Sequence, residues 1–159
     1  MSKTVIVLRV NCYKGYDFVE EHNRVLTDGK VWILKLGKVI PEWRLKKLKD
    51  ENGYIVFRTD KKHGSRFYIA NFVDYRIGRP NGDMKYPKYY SEMIDVLSYT
   101  MDVSDSGTWF QVEKINEMSI EQVDSLVMNN SEEKVCKLLE RCSSSFVYAH
   151  FVKEVNPNG

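Results

Sequence analysis

Cysteine is scarce in this chain and has no metal-binding spacing. Cys12, Cys136 and Cys142 are an odd number and form no C-x-x-C pair. A disulfide framework or a thiolate zinc site would need ligands that are missing, so a reducing, cytoplasmic compartment is expected. The first residues show no charged-then-apolar leader, and no apolar run approaches about 18 residues, so neither a signal peptide nor a membrane span is expected. An excess of one charge is also absent. The 24 Lys and Arg face 22 Asp and Glu, a net +2, so there is no global pull toward nucleic acid or membrane and any electrostatic argument must be local. Enzyme signatures are lacking too. No serine sits in G-x-S-x-G, the histidines His22, His63 and His150 fall on a helix, a turn and a strand, and the pairs Gly29-Lys30 and Gly37-Lys38 lack the P-loop context. Carboxylates show no D-x-D or H-x-E spacing. The expectation is a non-catalytic protein without metal or cofactor.

What is present is the material for one domain over residues 1–159, with no Pro/Gly/Ser-rich linker to divide it. Thr4 to Val10 is β-branched and apolar at both parities, as in a strand buried on two sides. Asp17, with Glu20 three residues on, opens a short helix whose apolar positions Phe18, Val19, His22, Val25 and Leu26 recur at helical spacing and which stops near Gly29. Val31 to Leu36 alternates as a strand, with Trp32, Leu34 and Leu36 on one face and Val31, Ile33 and Lys35 on the other. Pro41 to Gly53 reads as a helix with Leu45 and Leu48 buried and Trp43 turned away from them. Strands follow at Gly53 to Thr59, Arg66 to Ile77 and Thr108 to Ile115. A long Tyr/Pro/Gly-rich connection, Gly78 to Gly107, holds one short helix at Tyr90 to Leu97 and is of a length usually reserved for function or mobility. Two helices, SIEQVDSLV capped by Ser119 and NSEEKVCKLLERC capped by Asn130, precede a last strand, Ser145 to Val152. This order implies an α+β domain round a curled or barrel-like sheet.

Two constellations carry chemistry. Positive charge gathers in Lys35, Lys38, Arg44, Lys46, Lys47 and Lys49, then Arg58, Lys61, Lys62 and Arg66, with acidic residues concentrated in the C-terminal third. Such a face can hold phosphates through counterion release, or can be an ordinary solvated helix surface. Aromatic residues gather beside it. Trp32 and Trp109 lie on strands, Trp43 begins the basic helix, and Tyr86, Tyr89 and Tyr90 cluster in KYPKYY. Trp109 shares its strand parity with Gln111 and Glu113, which places it on the more polar side and favours a binding role over core packing. Stacking of a base on such rings is worth roughly 1–3 kcal/mol.

The order of GKVW (Gly29 to Trp32), EWRL (Glu42 to Leu45), GYIVFRT, SRFYIANFVDY and GTWFQVEKINEMSIEQVDSL resembles the PUA-like superfamily, in its YTH and EVE branches, over roughly Thr4 to Leu126. The resemblance implies a small β-barrel flanked by helices that accepts an extruded, modified base in an aromatic cage. On it, Trp32 corresponds to a cage tryptophan. The family's second cage tryptophan has no counterpart between Gly78 and Gly107, which leaves Tyr86, Tyr89, Tyr90 and Trp109 as candidates for that wall. Glu42 stands where the YTH pattern has asparagine beside the base. As a carboxylate it would accept from a base N–H; the alternative is an acid favourable to the helix dipole. Phosphates would be held by Lys35, Lys38, Arg44, Lys46, Lys47, Lys61, Lys62 and Arg66. The implied partner is modified nucleic acid, DNA in preference to RNA, as in the recognition part of a modification-dependent restriction system fused to or partnered with a nuclease or motor subunit. The rival expectations are a protein-interaction module whose PUA-like shape is incidental, an RNA reader of N6-methyladenosine, and a small enzyme using the same cavity.

Overall fold

Val5 to Leu8 are buried without alternation because both faces of their strand are covered, as their unbroken apolar run requires. The computed structural model describes residues 3–10, 15–36, 40–59, 66–78, 80, 82–98, 107–141 and 146–153, with 36, 95–98 and 141 described through the backbone alone. In chain order these form β1 (Val5–Arg9), α1 (Phe18–Arg24), β2 (Lys30–Leu36), α2 (Glu42–Asp50), β3 (Tyr54–Arg58), β4 (Phe67–Ile77), α3 (Tyr89–Ser98), β5 (Gly107–Glu117), α4 (Ile120–Asp124), β6 (Leu126–Met128), α5 (Val135–Arg141) and β7 (Phe146–Phe151). The protein is α+β. Its seven-stranded sheet has the order β2-β5-β4-β3-β1-β7-β6, antiparallel at every pairing except β1 with β3.

The sheet is strongly curled. Lys35 Nζ on edge strand β2 donates to the Arg9 carbonyl on β1 at 2.7 Å. Four strand spacings separate these strands within the sheet, about 19 Å if it were flat, which one lysine cannot span. The curl encloses a core made by Ile6, Leu8, Ile33, Ile55, Phe57, Phe72 and Phe110, closed by Leu45 and Leu48 of α2 and Phe18 of α1. A second cluster lies on the outer face, where α5 supplies Val135 and Leu139 against Val5, Val7, Val56 and Val147. Two bulges between β4 and β5 sharpen the bend, one marked by Lys114 at φ +56°.

Two helix ends show how local sequence fixes this frame. Asn52 takes the left-handed conformation just past α2 at φ +52°, and the amides of Asn52 and Gly53 return to the Lys49 and Leu48 carbonyls at 3.2 and 2.8 Å, a Schellman ending. Gly53 is required for space instead, since a Cβ there would collide with Leu48 Cδ1 and the Thr4 carbonyl oxygen. The helix expected over SIEQVDSLV has its Ser119–Gln122 capping box but stops at Asp124, because Leu126 to Met128 leave to pair with β7. The cap expected at Asn130 does not form. The Glu133 carbonyl accepts from Met128 N–H at 2.9 Å and Val127 bridges to Lys134, which closes residues 129–132 into a turn and delays α5 until Val135.

Candidate functional site

The chain enters β2 through Asp28 and Gly29, both at positive φ (54° and 78°), while Thr27 and Lys30 exchange backbone hydrogen bonds at 2.9 and 3.0 Å. That is the two-residue type I′ turn which an Asp-Gly pair favours, and it fixes Thr27 against Lys30 at the start of β2. Gly29 therefore serves this turn; α1 has already ended at Arg24.

On its free side β2 is covered by the long connection. Trp32 N–H donates to the Lys85 carbonyl at 3.0 Å, and Leu34 N–H donates to the Tyr90 hydroxyl. A polar edge that would otherwise face solvent is thus satisfied by the segment that carries KYPKYY. This docking gathers Leu34, Met84, Tyr89, Tyr90, Ile94 and Trp109 into a third buried cluster on the outer face, with Trp32 and Tyr86 packed against it. Ring centroids lie 4.9 Å apart for Tyr86 and Trp109, 5.8 Å for Tyr90 and Trp109, and 4.9 Å for Tyr89 and Tyr90.

Trp32 is half-buried and lines a pocket of about 250 Å³ together with Thr27, Asp28, Lys30, Asp83, Lys85 and Gln111. Gln111 is its cross-strand partner on β5. Three segments build the space: the Asp28-Gly29 turn, the β2–β5 ladder, and the edge-covering connection. Its chemistry is one indole face, a side-chain amide with both donor and acceptor, two carboxylates, and two lysines.

The five aromatic candidates Trp32, Trp109, Tyr86, Tyr89 and Tyr90 come together, in different roles from those expected. Trp109 is fully buried and donates Nε1–H to the Gly78 carbonyl at 3.0 Å, so its placement on a polar side is corrected. Both faces of β5 are covered at this point: Phe110 and Val112 face the enclosed core, and the connection and α3 cover Trp109. Alternation with Gln111 misled because that cover is remote in sequence. Tyr89 and Tyr90 are likewise buried, and Tyr86 packs on Trp109 outside the pocket lining. They back Trp32 instead of forming a facing wall. The remaining lining residues are polar.

Glu42 is not at this pocket. It accepts from the Tyr75 hydroxyl at 3.0 Å and lies 4.0 Å from Lys46 Nζ. Tyr75 pairs with Phe110 and packs on the enclosed core, whereas Trp32 points to the outer face. Lys35 also departs from its expected phosphate role. Its ammonium closes the curl on the Arg9 carbonyl, and burial, followed by the Arg9 charge, lowers its pKa. Arg66 lies 3.9 Å from Glu117 and lines a separate cavity of about 310 Å³ with Phe67, Met118 and Cys136. Lys46 and Lys47 are exposed on α2, and Arg44 is half-buried between aromatic rings. Lys38, Lys61 and Lys62 lie outside the described residues. Sequence reasoning missed Asp28, Lys30, Asp83, Lys85 and Gln111; the Asp-Gly pair was the signal available for the first two.

Behind the cluster, His22 is fully buried. Its Nδ1–H donates to the Phe18 carbonyl and its Nε2 accepts from the Tyr90 hydroxyl, each at 2.6 Å, so α1 is tied to α3 through a neutral imidazole. Burial lowers its pKa to about 4 and raises that of Tyr90 well above its ordinary value. Among the described residues no group of three His, Cys, Asp or Glu side chains is placed to hold a metal ion. None of their helices is long and apolar enough to cross a membrane. No family model, curated protein or solved structure matches the chain.

Proposed function

We propose that this protein is a non-catalytic reader of modified nucleic acid, built on a PUA-like, YTH/EVE-type curled sheet, that takes an extruded methylated base against Trp32. The observation that carries the reading is the Trp32 pocket. An indole with a packed back and an open face adjoins a cavity small enough for one ring system, and the cavity walls offer hydrogen-bonding groups at edge positions. Asp28 and Asp83 accept and Gln111 does both, so a base presenting an amino or methylamino N–H next to a ring acceptor suits the site. Lys30 and Lys85 at the same pocket, and the lysines of α2 on the other side of the sheet, supply phosphate contacts. Extruding a base costs a few kcal/mol, which stacking, edge hydrogen bonds and phosphate contacts together offset. DNA is the favoured carrier, on the resemblance to restriction-type readers.

The test is a titration with matched oligonucleotides carrying or lacking N6-methyladenine or 5-methylcytosine, in DNA and in RNA. The wild type should prefer one modified strand, and Trp32→Ala should abolish the preference by removing roughly 1–3 kcal/mol of stacking. Equal affinity for all strands in the wild type would defeat the reading.

A further inference from the structure

Trp43 is the most exposed tryptophan that the sequence could have hidden, at 59% of its surface. It sits in the first turn of α2, about 160° round the helix from buried Leu45, so it faces solvent by geometry and not by misplacement. It is nevertheless held in place. The Arg44 guanidinium carbon lies 4.5 Å over the Trp43 ring and 3.8 Å over the Tyr148 ring of β7, so the cation stacks on both. One face of the indole is thus covered by Arg44 and the other is open. Lys46 and Lys47, three and four residues on, are its neighbours on the helix surface and are exposed. Glu42 in the same turn is engaged by Tyr75, and Lys49 pairs with Asp74 at 3.1 Å.

We propose that the Trp43–Arg44–Tyr148 stack is a second nucleic-acid contact, a platform on which an unpaired base of a single strand stacks while Lys46 and Lys47 hold its phosphates. A ring already ordered by Arg44 loses little freedom when a base covers it. A stack of alternating ring and guanidinium accepts any base, because each offers a π-face. The partner follows from charge and ring together: lysines alone would take any polyanion, and an indole alone any apolar surface. This platform is on the concave side of the sheet, opposite the face that carries Trp32, so its stacking surface is a different contact from the base pocket, and the two share only the α2 lysines as phosphate contacts.

The experiment measures fluorescence anisotropy of a labelled, unmodified oligothymidylate. Trp43→Ala should weaken binding roughly five- to hundredfold with the salt slope unchanged, and Trp43→Phe should keep most of the affinity. Lys46→Ala with Lys47→Ala should flatten the slope of log K against log salt by about 0.7 per lysine. Ile120→Ala, which truncates an exposed apolar side chain of α4 outside both contacts, should bind this unmodified strand as the wild type does, which separates the platform from any exposed apolar surface. Because Trp43 is exposed, circular dichroism of its variants should match the wild type. Wild-type affinity in Trp43→Ala would overturn the proposal. So would an equal loss in Ile120→Ala, or competition by polyglutamate of equal charge as effective as that of the unlabelled strand.

Discussion

Replacing His22 with glutamine should remove a specific part of the protein's acid sensitivity. In the folded chain the imidazole is neutral, donating from Nδ1 to Phe18 and accepting at Nε2 from Tyr90, whose oxygen in turn accepts from Leu34 N–H. A proton on Nε2 would turn that acceptor into a donor facing a hydroxyl that already donates to it, and would place a charge in a site closed to solvent. Hence the folded-state pKa is about 4, against 6.5 when the residue is free. The unfolded chain therefore binds more protons between these values, and stability must fall as pH drops through that window. At about 1.4 kcal/mol per pH unit, the loss by pH 4 is roughly 3 kcal/mol, a large share of the 5–15 kcal/mol typical of a domain. Urea unfolding at several pH values from 7 to 4 measures it. Carboxylates titrate in both proteins, so the difference between wild type and His22→Gln isolates the imidazole. The variant should be less stable at pH 7 and should lose roughly 3 kcal/mol less on acidification. If both proteins lose the same amount, the buried neutral imidazole is not the source.

Lys35→Ala should lower stability by about 1–2 kcal/mol, because the Arg9 carbonyl loses its donor, while oligonucleotide affinity and its salt slope stay as in the wild type; a drop in the slope would return Lys35 to the phosphate contacts. Gly53→Ala should cost about 1–3 kcal/mol in denaturant unfolding, since the new methyl meets Leu48 and the Thr4 carbonyl and at least one backbone segment must shift; an unchanged midpoint would show that the α2–β1 contact yields easily.

Much of the frame was legible because it is local. The Asp17 cap, the Ser119–Gln122 box, the α2 stripe of Leu45 and Leu48, and the doubly buried β1 each depend on residues within a few positions of one another. Errors arose where a distant segment decided the outcome. Trp109 looks half-polar beside Gln111 until the connection and α3 cover it, and Leu126 to Met128 look helical until β7 offers a pairing partner. Lys35 looks like a surface cation because nothing in its neighbourhood reveals that the sheet curls back to Arg9. Glu42 could be aligned beside Trp32 in sequence order, yet α2 packs on the enclosed side, where Glu42 meets Tyr75, while strand parity sends Trp32 to the outer face. Gly29 was read as the end of the first helix, although an Asp-Gly pair ahead of an alternating run is a strong hairpin signal and the turn it forms is local.

The docking of the connection on β2 ties the aromatic cluster to the pocket in a way that limits how the site can be altered. Tyr90 joins the β2 edge to α1 through Leu34 N–H and His22, and five residues earlier the Lys85 carbonyl fixes the Trp32 backbone. Asp83 and Lys85 lie on that same segment, so the polar wall of the pocket is positioned by the aromatic residues that follow it. A loss of the His22–Tyr90 bond would therefore be felt on both sides of α1: in how Asp83 and Lys85 sit beside Trp32, and in the enclosed core, which is closed in part by Phe18, its ring 4.1 Å from that of His22. The acid sensitivity argued from His22 and the base pocket argued from Trp32 thus meet in one short stretch of chain, from Asp83 to Tyr90.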